Sequence, residues 1–423
     1  MSSSDDNCNS RHFSWLMKSC FPDTRPDPSL HFSPPPPTTT TISSLPNDVL
    51  LEILSCVDQS SLPSISSVCR RWSDLIQSSQ FYHLRRCRRL LHLAVFVVSF
   101  SDSGLFAANY KLGHDSRWKT TTLKFNNYDD DVVSPVMSSH ARLAAIGHWI
   151  YIIGKTTVLR CDAWTGSVTP RSKMSVMRKK FALAVVAGKI YAAGGSTRSA
   201  AVEEYDPKTN SWRVVSHAPR MRYGCIGAAV DGVLYVIGGL KVGGTPHNIP
   251  RASTGSGAHV YASSMDLYDV EARRWLRSRA VPGGGCMVAA CSAGDYIYIL
   301  ASHAVELSFW RFNGSRGVGF GEWRRLKSPP LPMQIRLDGT VRFGCVGVGE
   351  MVVLIQIMGC IDDLLRRSGR STRGVKEALV LVYDSGEEEW SRAADLPDVV
   401  RRAACVCVEW VTEMTEVGKL LSA

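Results

Sequence analysis

Long apolar runs are missing from this sequence. In 423 residues the longest stretches, 90–100 and 351–358, are about half of the ~20 residues a bilayer-spanning helix needs. Helical membrane spans are therefore excluded, and no membrane partner is expected. A secretory start is missing too: residues 1–10, MSSSDDNCNS, carry acids and polar side chains where a signal peptide needs a basic start and an apolar stretch. The 13 cysteines are odd in number and scattered over the whole length, unlike a secreted disulfide scaffold. A reducing compartment, cytoplasmic or nuclear, is the expectation, and Asn313-Gly-Ser315 then carries no meaning as a glycosylation sequon.

Signatures of catalysis are also wanting. The 11 histidines are spread without a close pair at ligand spacing, and none recurs at a repeated position. Cys405 and Cys407 share one face of a strand, but no second Cys or His pair at zinc-site spacing accompanies them. There is no phosphate-binding loop, zinc-protease helix or nucleophile elbow. The Gly-Gly pairs at 194–195 and 238–239 end apolar strands and lack the following helix of a dinucleotide site. The expectation is a protein that is not an enzyme, with no catalytic residue, metal site or cofactor.

What the chain does have is a core: 45% of its residues are hydrophobic, too many for wholesale disorder. At ~150 residues per domain its length allows two or three domains, or one large repeat fold with a small module. The net charge of +11 favours acidic partners.

Four segments differ in texture. Residues 1–41 are rich in Ser, Asp and Thr and contain the runs 34–37 (Pro) and 38–41 (Thr), which reads as a disordered arm. Residues 42–88 read as short helices. In Leu45-Pro-Asn-Asp-Val-Leu-Leu-Glu-Ile-Leu54, proline sits where a helix begins without losing a needed N–H, and Leu50, Ile53, Leu54 and Val57 recur at helical spacing. After an interruption at 60–63, Ile65, Val68, Cys69, Trp72, Leu75 and Ile76 form a second stripe. So small a set of helices makes a marginal core that needs a partner or a neighbouring domain. Residues 89–412 read as β throughout, and 413–423 as a tail.

The β region repeats. Ile150-Tyr-Ile-Ile-Gly154, Ile190-Tyr-Ala-Ala-Gly-Gly195 and Leu234-Tyr-Val-Ile-Gly-Gly239 are apolar strands closed by glycine, with weaker copies at Ile297-Tyr-Ile-Leu300 and Val352-Val-Leu-Ile355. Tyr-Asp then precedes Trp at one spacing: Tyr205-Asp206 with Trp212, Tyr268-Asp269 with Trp275, Tyr383-Asp384 with Trp390. Cys161-Asp162 with Val168 is a degenerate copy, and Trp118 and Trp323 anchor two more. The aromatic plates fill gaps between small sheets that cannot cover their own faces and so must stack around an axis. Because these aromatics are committed to packing, a nucleic-acid role ranks behind protein binding.

A period of ~50 residues is that of kelch blades, and the region resembles a kelch β-propeller. Units end at Trp118, Val168, Trp212, Trp275, Trp323 and Trp390. The first lacks its opening strand, which reappears as Arg401-Arg-Ala-Ala-Cys-Val-Cys-Val408. The expected fold is an all-β six-bladed propeller, closed by its C-terminal strand against 93–100, preceded by a small α-helical module. Closure removes the exposed sheet edges.

That module, with Leu45-Pro, an apolar helix and Val68-Cys-Arg-Arg-Trp72 in order, resembles an F-box. The combination resembles the F-box/kelch-repeat proteins abundant in plants. The resemblance implies a substrate-recognition subunit: the F-box binds a Skp-type adaptor and through it a cullin–RING ubiquitin ligase, and the propeller binds the protein substrate. The ligase chemistry belongs to other subunits. Leu45, Pro46, Leu50, Leu54 and Trp72 are the candidate adaptor-binding residues, though each also suits a purely structural role. The alternative function is a scaffold or regulatory binder acting outside a full ligase.

Arginine recurs before the first strand of several units, at Arg178, Arg222, Arg342 and Arg402. Either these ring the mouth of the central channel and bind an acidic or phosphorylated substrate segment, or they pack on aromatics or pair with acids between blades. Cys225, Cys286, Cys345 and Cys405 follow them and suit small buried packing roles. Segments 241–261 and 359–377 exceed ordinary turns and are either functional or disordered. The cluster Arg85-Arg-Cys-Arg-Arg89 suits a nuclear-import signal or a solvated helix face.

Overall fold

A computed structural model describes residues 42–101, 104–113, 117–125, 141–155, 157–242, 261–303, 306–331, 342–358, 379–400 and 403–411. The expected arm over 1–41, the tail over 413–423, segment 359–377, most of 241–261 and Arg402 lie outside the described residues. The chain divides into two compact units, residues 1–50 and 51–423.

A short 3-10 turn, Ile42–Ser44, leads to α1 (Asn47–Ser55), of which residues 47–50 fall in the first unit and 51–55 in the second. Pro46 stands just before the helix, where its missing N–H is not needed, and its carbonyl accepts from the Leu50 N–H at 3.1 Å.

In the second unit, α2 (Leu62–Ser66), α3 (Arg70–Ile76) and α4 (Ser79–Cys87) precede the sheets. The expected second stripe is not continuous. Cys69 is extended, with φ −158°, so the chain is not helical between α2 and α3. The 3.6-residue count is reset there, and Val68 leaves the face that carries the buried Leu75 and Ile76. No helix among the described residues is long and apolar enough to cross a membrane.

Six blades follow. Their inner strands are Ala403–Val411 (blade I), Arg142–Ile146 (II), Ala182–Val186 (III), Ile226–Val230 (IV), Cys286–Ala293 (V) and Arg342–Val348 (VI). Each begins a four-stranded antiparallel meander. Blade I is closed by the two chain ends: Ala403–Val411 pairs with Leu91–Ser101 in register from Ser99↔Ala403 to Leu91↔Val411. The inner strands touch one another in sequence around the ring, and that of blade VI touches that of blade I. The six-blade closure expected from the sequence is thus present.

The repeated aromatics pack as their spacing requires. Tyr205 faces Trp212, Tyr268 faces Trp275 and Tyr383 faces Trp390 directly across the third and fourth strands, with ring centroids 5.0–5.2 Å apart. The indole N–H groups then reach the preceding blade. Trp118 donates to Ala394 O at 2.8 Å, Trp212 to Ser172 O at 2.8 Å, Trp275 to Ser216 Oγ at 3.1 Å and Trp390 to Lys327 O at 2.7 Å. In four of the six blades one tryptophan therefore fills the blade and stitches it to its neighbour. Apolar clusters between blades complete the core, as where Val95 and Val97 of blade I meet Val346, Val353 and Ile355 of blade VI.

In such a meander the turns from first to second and from third to fourth strand share one face of the ring. The second-to-third connections and the starts of the inner strands share the other.

Candidate protein-docking surfaces

The helical segment divides the five adaptor-binding candidates. Leu50 and Leu54 are buried, Leu45 and Trp72 half-buried, and Pro46 is exposed. Leu50 and Leu54 are core residues of the free chain. The apolar side chains left open are others: Val49 and Ile53, one helical turn apart on α1, and Val68 before α3, with Ile53 49% and Val68 62% exposed. The sequence pattern assigned Ile53 and Val68 to buried stripes. Each is displaced by local geometry, Val68 by the break at Cys69 and Ile53 by lying one residue off the Leu50–Leu54 line. Exposed large apolar residues are what a surface awaiting a partner presents.

On the propeller, three of the four candidate arginines, Arg178, Arg222 and Arg342, lie among the described residues, and they are not alike. Arg178, 1% exposed, donates from Nε and Nη2 to Glu203 Oε2 at 3.2 and 2.9 Å, and to Gly194 O and Ala201 O at 2.8 and 2.6 Å. The Glu203 carboxylate is completed by the Ser175 N–H and hydroxyl at 2.7 and 2.6 Å. Arg222, fully buried, repeats the arrangement with Asp266 Oδ2 at 2.8 Å and the Gly238 and Tyr261 carbonyls at 2.8 and 2.6 Å. Both guanidinium groups are turned into their own blade, tying the segment before the inner strand to the third strand. A ligand would have to break a buried ion pair to reach them. Their pairing is within blades, not between them as the sequence suggested.

Glu203 and Asp266 each stand two residues before the tyrosine of Tyr-Asp, where blade VI carries Leu381. Arg342 accordingly differs: it is half-buried and its side chain has no hydrogen bond or ion pair among the described residues. It opens the inner strand of blade VI. Arg142 opens the inner strand of blade II and donates to Phe181 O (3.1 Å, blade III) and Cys225 O (3.3 Å, blade IV). Burial holds the Arg142 guanidinium below its ordinary pKa, with the positive charge of Arg342 a minor addition. Sequence reasoning missed Arg142 because blade II lacks the spacing that marked the other four. Arg142 and Arg342 both stand at the starts of inner strands, on one face of the ring.

The recurring cysteines are free thiols. Cys225 is buried and Cys345 and Cys405 half-buried, but Cys286 is exposed, against expectation. Burial pushes the Cys405 thiol up to about 12, which keeps it protonated and inert. Among the described residues no three His, Cys, Asp or Glu side chains stand together as a metal site. The basic cluster is also divided: Arg85 is buried and bonded to Val57 O, whereas Arg86, Arg88 and Arg89 are exposed.

Residues 42–84 match the F-box domain family and residues 177–218 the Kelch motif. An F-box/kelch-repeat protein of Arabidopsis thaliana is 57% identical over 417 residues, covering 96% of this chain and 100% of that protein. Mouse Kelch-like protein 36 is 25% identical over 390 residues, covering 86% of this chain and 57% of that protein. The solved structure of YjhT is 19% identical with a TM-score of 0.44, covering 62% of this chain and 85% of that one, a likeness too slight to carry an argument.

Proposed function

Because the chain belongs to the F-box/kelch-repeat family, whose members are generally non-catalytic, protein-binding adaptors, we propose that it is the substrate-recognition subunit of a cullin–RING ubiquitin ligase of the SCF type. The F-box binds a Skp-type adaptor, the propeller binds the protein to be modified, and the chain contributes no chemistry of its own. The observation that carries this reading is the pairing, in one chain, of an F-box with apolar Val49, Ile53 and Val68 uncovered and a closed propeller. Such a subunit works in the cytoplasm or nucleus.

Leu45, Pro46 and Trp72 border the adaptor face, with Leu50 and Leu54 supporting it from beneath. On the propeller, Arg342 together with Arg142 receives an acidic or phosphorylated segment of the substrate. The Arg342 guanidinium, with no hydrogen bond or ion pair among the described residues, and the Arg142 guanidinium, which feels its charge, favour an anion that binds in bidentate fashion. Arg178 and Arg222 support that surface by fixing the segments that lead into it.

Affinity purification of the full chain from plant cells tests the assignment. Adaptor and cullin are expected together, and both are expected to vanish with Ile53→Asp/Val68→Asp while the propeller stays folded. Adaptor without cullin would favour the scaffold alternative. Arg342→Glu is expected to keep the ligase subunits and lose the captured substrates.

A further inference from the structure

Blade II departs from its neighbours at the two turns that share one face of the ring. Two-residue turns join the first and second strands. Their second residue is His148 in blade II but Gly188, Asp295 and Glu350 in blades III, V and VI, all exposed. In the turn between third and fourth strands, three residues past Cys161, stands Trp164. The corresponding residues in blades III, IV and VI are Lys208, Glu271 and Gly386, again exposed. In blade II both are buried, His148 at 3% and Trp164 at 2% exposure. They stack on each other, ring centroids 4.0 Å apart and 17° from parallel.

Helix α4 covers them. Tyr82 lies 5.6 Å from the His148 ring and 6.2 Å from Trp164, and Phe81 meets Trp164 edge-on at 6.1 Å. The Tyr82 hydroxyl donates to Glu409 on the inner strand of blade I, and the Trp164 indole donates to the Glu409 carbonyl at 3.2 Å. Gly147 has φ +61°, a conformation that suits glycine, and a Cβ there would stand 3.2 Å from the Tyr82 ring, close enough that the ring would have to give by a few tenths of an ångström. At its other end α4 is tied back to the residues that close α1. Arg85 donates to Val57 O, and Arg88 pairs with Glu52 and donates to Ser55 Oγ at 2.5 Å.

We propose that Tyr82, His148, Trp164 and Glu409 are positioning residues: blade II is a built dock for α4, making the helix a rigid strut between segment 52–57 and the propeller. The strut fixes where the propeller presents its cargo to the ubiquitin-transferring subunits, so the inference rests on the ligase reading above. It accounts for the degenerate repeat, because the aromatic residue that other blades keep on the fourth strand is here spent on the turn. The strut also places α4 on the face opposite Arg142 and Arg342.

Two measurements test it. Hydrogen exchange on the full chain needs no ligase: Trp164→Ala and Tyr82→Ala are expected to expose the amides of residues 79–87, Tyr82→Phe to expose them less, and Glu271→Ala at the matching turn of blade IV to leave them unchanged. Equal protection of 79–87 in wild type and Trp164→Ala would overturn the strut. In a reconstituted ligase, ubiquitin placed on the receptor's own lysines reads the geometry. Trp164→Ala is expected to hold adaptor as wild type does, yet to scatter the modified lysines and slow transfer about tenfold or more, as misplacement of reactants does. An unchanged lysine pattern and rate with lost helix protection would overturn the positioning role. Failure of wild type to capture adaptor would refute the ligase reading alone, leaving the exchange result to decide on the strut.

Discussion

Blades II and III are built from the same four strands and solve their edges differently. Blade III keeps Trp212 opposite Tyr205 and uses its indole to hold the preceding blade. Blade II has Val168 opposite Cys161, and a short parallel strand, Lys124–Phe125, covers the outer edge there. Its tryptophan has moved to the turn, where Asp162 fixes it by accepting from the Trp164 N–H at 2.9 Å. The lesson is that a repeat loses its consensus where it acquires a second duty, and the place of the loss points to the duty.

The largest expected effect contrasts buried with unpaired arginines. Arg222→Ala strands Asp266 and is expected to cost about 3–5 kcal/mol of folding stability. Arg342→Ala is expected to stay within about 0.5 kcal/mol and to act on binding alone. Chemical denaturation of both variants checks this, and equal losses would erase the distinction between blades IV and VI.

A smaller effect separates the two turns directly. Gly188→Ala in blade III meets open space and is expected to cost only the left-handed backbone penalty, about 1 kcal/mol. Gly147→Ala adds the clash with Tyr82 and is expected to cost about 2 kcal/mol or more, with loss of α4 protection. Trp212→Phe then removes one indole hydrogen bond and is expected to cost about 1 kcal/mol.

The smallest effect is one of pH. Burial holds the His148 imidazole below its ordinary 6.5; Asp162 and Glu409 oppose that shift, Arg160 adds to it, and Tyr82 packs on the ring. Neither ring nitrogen has a hydrogen-bond partner among the described residues. The unfolded chain takes up a proton more readily than the folded one. The contribution is therefore complete above about pH 6.5 and is lost as pH falls toward the depressed folded value. Thermal melts from pH 7.5 to 5 are expected to fall less steeply for His148→Phe than for wild type.

Much of this was legible because its signals are local. The six units, their order and the split first blade follow from strand alternation and the Tyr-to-Trp spacing, and the F-box from a motif of about thirty residues. What escaped depends on partners distant in sequence. Glu203 and Asp266 neutralise arginines 25 and 44 residues earlier, and only strand pairing brings them together. Trp164 carries no periodic mark, so blade II read as decayed when it was adapted. Exposure of Val68 turned on a helix break at Cys69 that an apolar stripe conceals, and that of Ile53 on its lying one residue off the Leu50–Leu54 line.

The most direct test of the central claim is calorimetric titration of the purified full-length chain with a Skp-type adaptor. The account predicts one adaptor per chain, a negative heat-capacity change from covering Val49, Ile53 and Val68, and no binding by a folded Ile53→Asp/Val68→Asp variant. A well-folded wild type that gives no heat of binding with any such adaptor, or a double variant that binds as tightly as wild type, would contradict it.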